Sequence, residues 1–157
     1  GVHIGDDHDV GVVEAGAEFL EQVLQPREAV RLHHGDARAL LDALPPGSLE
    51  RVFILFPDPW PKARHHKRRL LQSGTLATMA ERLADGGVLH IATDHADYTE
   101  WIRELLDAQD TTRTHLVPLT GDSPVSLARP TTKFEGRAAT EGRVVTEFVY
   151  TRAEGDQ

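Results

Sequence analysis

A short segment of the chain brings together the residue types that a nucleotide-binding site needs. Residues 56–61 (Phe-Pro-Asp-Pro-Trp-Pro) supply an acid and an indole, and residues 62–69 follow with a cluster of cations. The three prolines stiffen the backbone and remove three amide donors, so we expect Asp58 and Trp60 to hold fixed positions. A base needs a stacking face, a hydrogen-bonding edge and contacts to its phosphates. The segment therefore predicts a base-binding site, and the alternative is a rigid connector with a packed tryptophan.

The charge of the chain is unevenly distributed. The whole chain carries a net charge of −8, which by itself argues against nucleic-acid binding because phosphates dominate that affinity. Residues 62–69 contain no acid, and their ionisable side chains are Lys62, Arg64, His65, His66, Lys67, Arg68 and Arg69. A charge run is usually a solvated face, but a basic segment in an acidic protein favours the docking of an anionic partner. The phosphate contacts are predicted to come from Arg64, Lys67, Arg68 and Arg69.

Two further groups mix aromatic and charged side chains. Residues 132–135 (Thr-Lys-Phe-Glu) repeat the grouping, although such a tetrapeptide also occurs on ordinary strands. Asp94 lies close in sequence to Tyr98 and Trp101, whose spacing is more typical of core packing than of a binding platform. The histidines form adjacent pairs rather than pairs with metal-ligand spacing, so no metal site is predicted.

The elements that must position these residues alternate along the chain. Hydrophobic patterning predicts strands at 10–13, 29–32, 49–56, 88–92 and 144–150, and helices at 17–24, 37–44, 70–83 and 97–109. Asp85-Gly86-Gly87 is expected to cap the third of these helices, and 110–130 is expected to be loop. Alternating strands and helices predict an α/β fold with a mostly parallel sheet flanked by helices and an antiparallel strand near the C-terminus.

Three carboxylates follow predicted strands directly. Asp36, Asp58 and Asp94 each come just after a strand end, where ligands bind in parallel sheets. A single one of them would more often be a helix N-cap or a turn residue. Three on successive strands favour a shared site at one edge of the sheet.

The composition bounds the class of protein. A chain of 157 residues with 39% hydrophobic residues predicts one globular domain. No apolar run reaches the roughly 20 residues of a membrane helix, and no signal peptide is evident at the start. Cysteine is absent, which fits a reducing cytosol. We therefore expect a cytoplasmic protein, monomer or homodimer, that does not bind membranes.

These residues resemble the bacterial tRNA (guanine-N7)-methyltransferases. The resemblance covers roughly residues 29–152, and its most specific part is Phe-Pro-Asp-Pro-Trp-Pro-Lys followed by Arg-His-His-Lys-Arg-Arg within 56–69. His34-Gly35-Asp36-Ala37, Thr93-Asp94 and residues 132–135 match further motifs in the family's order and approximate spacing. The resemblance implies a Rossmann-like class I methyltransferase fold and S-adenosylmethionine (SAM) as methyl donor. It also implies tRNA as the partner, with N7 of guanosine 46 in the variable loop as acceptor.

The resemblance also implies roles for single residues. Asp36 would lie at the adenine of SAM, and Asp58 would be the catalytic carboxylate close to the methionine part of SAM. Asp58 suits either stabilisation of the cationic guanine or a hydrogen bond to the guanine edge, and the sequence leaves both open. The tRNA guanosine and its surroundings would be held by Lys62, Asp94, Thr132, Lys133, Phe134 and Glu135. The alternatives are a tRNA-binding module of the same fold that has lost SAM binding, and a methyltransferase of this fold with another substrate.

The N-terminal part departs from the family pattern. The family carries a glycine-rich turn after its first strand and an acid at the end of its second strand, both of which bind SAM. Residues 12–20 resemble a shortened glycine turn, while Glu14 is equally placed as the second-strand acid, so Glu14 is assigned to cofactor binding. We expect one methyltransferase domain over 1–157 with an incomplete SAM-binding part. We hypothesise that segments of the native chain are absent from this sequence.

Overall fold

The computed structural model describes residues 36–121 and 141–155. These residues form helices and strands in alternation. In chain order the elements are α1 (Ala37–Ala43), β1 (Leu49–Leu55), a 3₁₀ helix (Ala63–Arg68), α2 (Ser73–Arg82), β2 (Leu83–Thr93), α3 (Ala96–Asp107), β3 (His115–Pro118) and β4 (Thr146–Ala153).

The four described strands form one mixed sheet in the order β1-β2-β4-β3. Strands β1 and β2 are parallel, with Leu55 opposite Ala92 near their carboxyl ends. Strand β4 runs antiparallel to both of its neighbours, β2 and β3. The predicted α/β fold with an antiparallel strand near the C-terminus is confirmed. The strands predicted at 10–13 and 29–32 and the helix at 17–24 lie outside the described residues.

One face of the sheet carries the main core. Alternate residues of the strands point to this face because side chains in a strand have a period of two. Helices α2 and α3 present apolar residues at helical spacing, such as Leu76, Met79 and Ala80 in α2. The buried cluster combines Val52, Ile54, Leu89 and Ile91 of the sheet with Leu76, Met79, Tyr98, Ile102 and Leu106 of the helices. This packing fixes the strand ends from which the candidate site residues emerge.

The glycine pair before the central strand has a different role from the one predicted. The expectation that Asp85-Gly86-Gly87 caps the preceding helix is wrong, because α2 ends at Arg82 and Leu83 is already extended. These residues belong to β2, where the register against β1 moves from Leu49–Leu83 to Arg51–Val88. Gly86 has φ +74° in this irregular stretch, a conformation that glycine adopts without a steric penalty.

The other predicted elements differ from the structure mainly at their ends. The strands at 49–56 and 88–92 and the helices at 37–44 and 97–109 are present. The helix predicted at 70–83 begins at Ser73, and the last strand spans Thr146–Ala153 rather than 144–150. The sequence predicts loop over 110–130, but strand β3 lies within this range. The strand has only four residues and lies at the edge of the described sheet, so it gives little periodic signal. None of the helices in the described residues is both long and apolar enough to span a membrane.

Candidate active site

Two of the predicted carboxylates leave the sheet at the same edge. The amide of Phe56 donates to the carbonyl of Ala92 at 2.7 Å, which extends the parallel pairing of β1 and β2 by one residue. Asp58 comes two residues after Phe56, and Asp94 comes two residues after Ala92. The strands therefore deliver both acids to the carboxyl edge of the sheet, where parallel sheets bind their ligands.

Asp36 caps helix α1, which is the alternative that the sequence left open for it. Its carboxylate accepts from the Arg38 amide at 2.9 Å, and from Nε and Nη2 of the same arginine at 3.1 and 3.2 Å. The hydrogen bond from the Arg38 side chain lowers the pKa of Asp36 from its usual value. The side chain stays 46% exposed. Capping leaves acceptor positions on a carboxylate, which offers about four.

The loop that carries Asp58 has an unusual backbone. Phe56 and Trp60 have φ of 54° and 41°, the left-handed region that residues with a side chain rarely adopt. Each directly precedes a proline, which disfavours helical conformations in the residue before it. Such residues cost on the order of 1–3 kcal/mol each and persist only where the surroundings hold them. Asp58 stabilises the turn by accepting from the Trp60 amide at 3.3 Å, and its side chain is half-buried.

The basic segment after this loop folds into the 3₁₀ helix Ala63–Arg68. Lys62, Arg64, Lys67 and Arg68 are all exposed there. The guanidinium of Arg68 lies 5.1 Å from the ring centre of Trp60, a cation–π contact. These four cations form an exposed basic surface next to Asp58, and their contact with phosphate stays a prediction.

Arg69 is the exception within this segment. It is 0% exposed, its Nε donates to the carbonyl of Pro59 at 2.7 Å, and its Nη2 donates to Asp97 at 2.6 Å. The guanidinium lies 4.9 Å from the ring centres of both Tyr98 and Trp101. The phosphate contact predicted for Arg69 therefore does not fit this conformation, because its charge is turned into the protein.

The aromatic pair on α3 packs as the sequence favoured. Tyr98 is fully buried, and its hydroxyl accepts from the Leu71 amide at 3.2 Å. Trp101 is half-buried and donates from its indole nitrogen to the Leu71 carbonyl at 2.7 Å. The pair thus fixes the entry into helix α2 and does not form a binding platform.

Asp94 has a partner that the sequence did not indicate. Nε of Arg143, just before β4, donates to its carboxylate at 2.7 Å, and Arg143 also pairs with Glu141. The Asp94 side chain is 21% exposed. A substrate group that binds Asp94 must share it with Arg143. Asp97, the partner of Arg69, is the second residue of the site that the sequence did not indicate. The one signal for it was the general preference of acids for the first turn of a helix.

The remaining predicted residues cannot be placed. Those that lie outside the described residues are Glu14, Thr132, Lys133, Phe134 and Glu135. Across 36–121 and 141–155, no group of three or more His, Asp or Glu side chains is arranged to hold a metal ion.

Comparison with known proteins shows the family of this chain. Residues 11–148 match the sequence profile of a protein family described as "Putative methyltransferase". Curated relatives named tRNA (guanine-N(7)-)-methyltransferase include those of Mycolicibacterium paratuberculosis, 51% identical over 92% of this chain, and Rhodococcus jostii, 47% identical over 88%. The protein of that name from Mycobacterium leprae is 43% identical over 92% of this chain. The chain spans 57%, 54% and 64% of the lengths of these three relatives.

Proposed function

We propose that this chain, which belongs to that methyltransferase family, transfers a methyl group from SAM to N7 of guanosine 46 in tRNA. The observation that carries the proposal is the position of Asp58, on a strained loop at the sheet edge that leads directly into a segment of exposed cations, one of which, Arg68, contacts Trp60 of the loop. The names of relatives that are 43–51% identical support the choice of substrate.

The proposed chemistry calls for a negative charge at this place and not for a proton acceptor. Guanine N7 has a lone pair at neutral pH, so no proton has to be removed before it reacts. Positioning of the two reactants supplies much of the acceleration of such a transfer. The guanine becomes cationic as it is methylated, and the Asp58 carboxylate would stabilise that charge or hold the guanine edge.

The cofactor would be held by Asp36 and Asp58, together with Glu14. When bound, SAM supplies an electrophilic methyl group on a sulfonium. Asp36 fits this role in part, since its carboxylate is 46% exposed and Arg38 uses three of its roughly four acceptor positions, which leaves about one. The indole N–H of Trp60 is buried and has no hydrogen-bond partner in the described part of the chain, so it is a donor that a bound ligand could satisfy.

The tRNA would dock on the exposed cations of the 3₁₀ helix. Lys62, Arg64, Lys67 and Arg68 are exposed, and an anionic backbone gains affinity by releasing counterions there. The guanosine would then reach Asp58 and Asp94 at the neighbouring strand ends. Thr132, Lys133, Phe134 and Glu135 are proposed to hold the same nucleotide.

A methylation assay with paired substrates tests the proposal. Purified full-length protein is incubated with methyl-labelled SAM and a tRNA transcript that has guanosine at position 46, or adenosine in its place. We expect label only in the first transcript, and chain cleavage specific for 7-methylguanosine at that position. Equal labelling of both transcripts would point to another substrate. Binding of tRNA without binding of SAM in calorimetry would favour the binding module.

A further inference from the structure

Arg69, the buried arginine of the basic segment, joins two parts of the candidate site. Its Nε holds the carbonyl of Pro59, the residue that follows Asp58. Its Nη2 holds Asp97, in the first turn of α3 and three residues beyond Asp94. One guanidinium thus ties the loop after β1 to the segment after β2.

The surroundings of Arg69 suit a guanidinium at Nε and Nη2, although Nη1 is buried without a hydrogen-bond partner in the described residues. A planar guanidinium can stack on aromatic rings and donate in two directions at once, which an ammonium cannot do in the same geometry. Tyr98 and Trp101 lie against it, each with its ring centre at 4.9 Å. The Gln72 side chain donates to the Arg69 carbonyl at 3.0 Å, which holds the main chain of the arginine as well.

The loop it holds is one that needs an external restraint. Phe56 and Trp60 both have positive φ before a proline, and a strained backbone relaxes when its supports are removed. Within the described residues, the hydrogen bond to the Pro59 carbonyl is a side-chain support for this loop that comes from outside it. Loss of that support would let Asp58 shift while the sheet stays intact.

We propose that Arg69 is a positioning residue, which holds Asp58 in its reactive place through the Pro59 carbonyl and is itself anchored by Asp97. The proposal rests on the function proposed above, and it separates Arg69 from its neighbour Arg68. Arg68 is exposed and is proposed to meet phosphate, whereas Arg69 acts through the loop.

Kinetics on matched variants test the proposal. Arg69→Met keeps an unbranched apolar stem, shorter than the arginine side chain, and removes the guanidinium donors. Since misplacement by about 1 Å can cost on the order of 10²-fold in rate, we expect kcat to fall by about that factor. The Kd for tRNA and its salt dependence should stay as in the wild type. Arg69→Lys restores one donor and should recover part of kcat.

Arg82→Met is the matched control. Arg82 is 14% exposed, and its Nε donates to the Leu41 carbonyl at 2.9 Å, at the far end of the sheet where β2 begins. The Arg82→Met variant should lose thermal stability, as Arg69→Met does, but its kcat per folded molecule should equal that of the wild type. Arg68→Gln is the positive control for the salt slope of tRNA binding, which should fall by about 1. If Arg69→Met does not fold, Asp97→Asn replaces it and should lower kcat in the same direction by a smaller factor.

Two outcomes of the binding and kinetic measurements would overturn the proposal. A salt slope reduced in Arg69→Met as in Arg68→Gln would show that Arg69 meets phosphate. A kcat per folded molecule equal to that of Arg82→Met would show a purely structural role.

A spectroscopic readout keeps the test independent of the proposed reaction. In protein labelled with 5-fluorotryptophan, the Trp60 resonance is assigned with Trp60→Phe. We expect it to shift or broaden in Arg69→Met and to stay in place in Arg82→Met. An unmoved Trp60 resonance in Arg69→Met would refute the positioning role, whether or not the wild type methylates tRNA. Failure of the wild type to methylate tRNA would count against the proposed function and would leave this spectroscopic test valid.

Discussion

At the scale of single residues, Asp58 is the group on which the proposed chemistry depends. Asp58→Asn removes the charge but keeps the oxygen that accepts from the Trp60 amide, so the turn should survive. Loss of one preorganised electrostatic group typically costs about 10²–10³ in kcat. If Asp58 stabilises charge, kcat should fall by that factor while the Kd for tRNA stays constant, in single-turnover and filter-binding measurements.

The same variant separates the two roles left open for Asp58. If the Asp58 carboxylate holds the guanine edge, its loss would weaken substrate binding as well as turnover, so KM would rise together with the fall in kcat. Asp42→Asn, an exposed acid on α1, should behave as the wild type. Unchanged kcat and KM in Asp58→Asn would remove Asp58 from the site.

Asp97 gives a pH dependence whose direction follows from its partner. The hydrogen bond from Arg69 holds the pKa of this carboxyl below its usual value of 3.8. A lowered folded-state pKa contributes stability above the unfolded-state pKa, and this is lost as the pH falls through the folded-state value. Asp97→Asn should therefore destabilise the protein at pH 7, and the difference from the wild type should shrink below about pH 4.

The size of this effect is limited, because the Asp97 side chain is 60% exposed and solvent screens the pair. Urea unfolding at pH 7 and pH 3 measures it. In an Arg69→Met background most of the pH-dependent part should vanish, since His66, whose Nε2 lies 3.8 Å from the Asp97 carboxylate, and His95 lower the pKa of Asp97 less than Arg69 does. An undiminished pH dependence there would show that Arg69 is not its main source.

At the scale of elements, the close approach of β1 to the start of β2 depends on one glycine. A Cβ at Gly87 would meet the Ala84 carbonyl at 2.8 Å and the Leu49 carbonyl at 3.0 Å, both backbone atoms that cannot rotate away. Gly87→Ala should therefore destabilise the protein by about 1–3 kcal/mol, as overpacking does. Urea unfolding would measure the change.

Gly74 offers the matched control on a helix. It is the second residue of α2, and a Cβ there meets nothing within 4 Å. Gly74→Ala should stabilise the protein by about 0.4–1 kcal/mol, because alanine lowers the entropy of the unfolded chain. Equal effects of the two substitutions would mean that the contact at Gly87 yields without cost.

These two glycines also indicate what the sequence could and could not predict about the elements. Apolar periodicity predicted β1, the later part of β2 and the three helices, because burial on one face imposes it. It could not predict that Gly86 and Gly87 belong to a strand, since the same residues would serve a helix end. The reason lies in the approach of Leu49, which is more than thirty residues away in the chain.

The residues of the candidate site likewise fall into those that the sequence could predict and those that it could not. Residues 56–69 could be recognised locally, because an acid, an indole and a basic run are adjacent in the sequence. The difference between Arg68 and Arg69 could not be, since it depends on Asp97, Tyr98 and Trp101 of a later helix. Arg143 likewise reaches Asp94 only through the pairing of β4 with β2.

At the scale of the whole molecule, a net charge of −8 coexists with an exposed basic surface. The acidic remainder repels a polyanion, while Lys62, Arg64, Lys67 and Arg68 attract it at one place. If tRNA docks as proposed, this charge distribution would select an orientation in which the bound tRNA lies near Asp58. SAM would have to bind the same edge of the sheet. Binding of SAM there should therefore raise the free energy of unfolding of the whole fold.

Thermal unfolding of the full-length protein with SAM measures this coupling. A ligand that binds only the folded state at a hundred times its Kd stabilises it by about 2.7 kcal/mol. For a chain of this size that corresponds to a rise in Tm of roughly 5–10 °C. Asp36→Asn keeps a good N-cap for α1 but removes the charge, so a tenfold weaker Kd would halve the rise at the same SAM concentration. Asp42→Asn, at the other end of α1, should leave it unchanged. A Tm that SAM does not move in the wild type would refute cofactor binding and leave the tRNA-binding module as the better account.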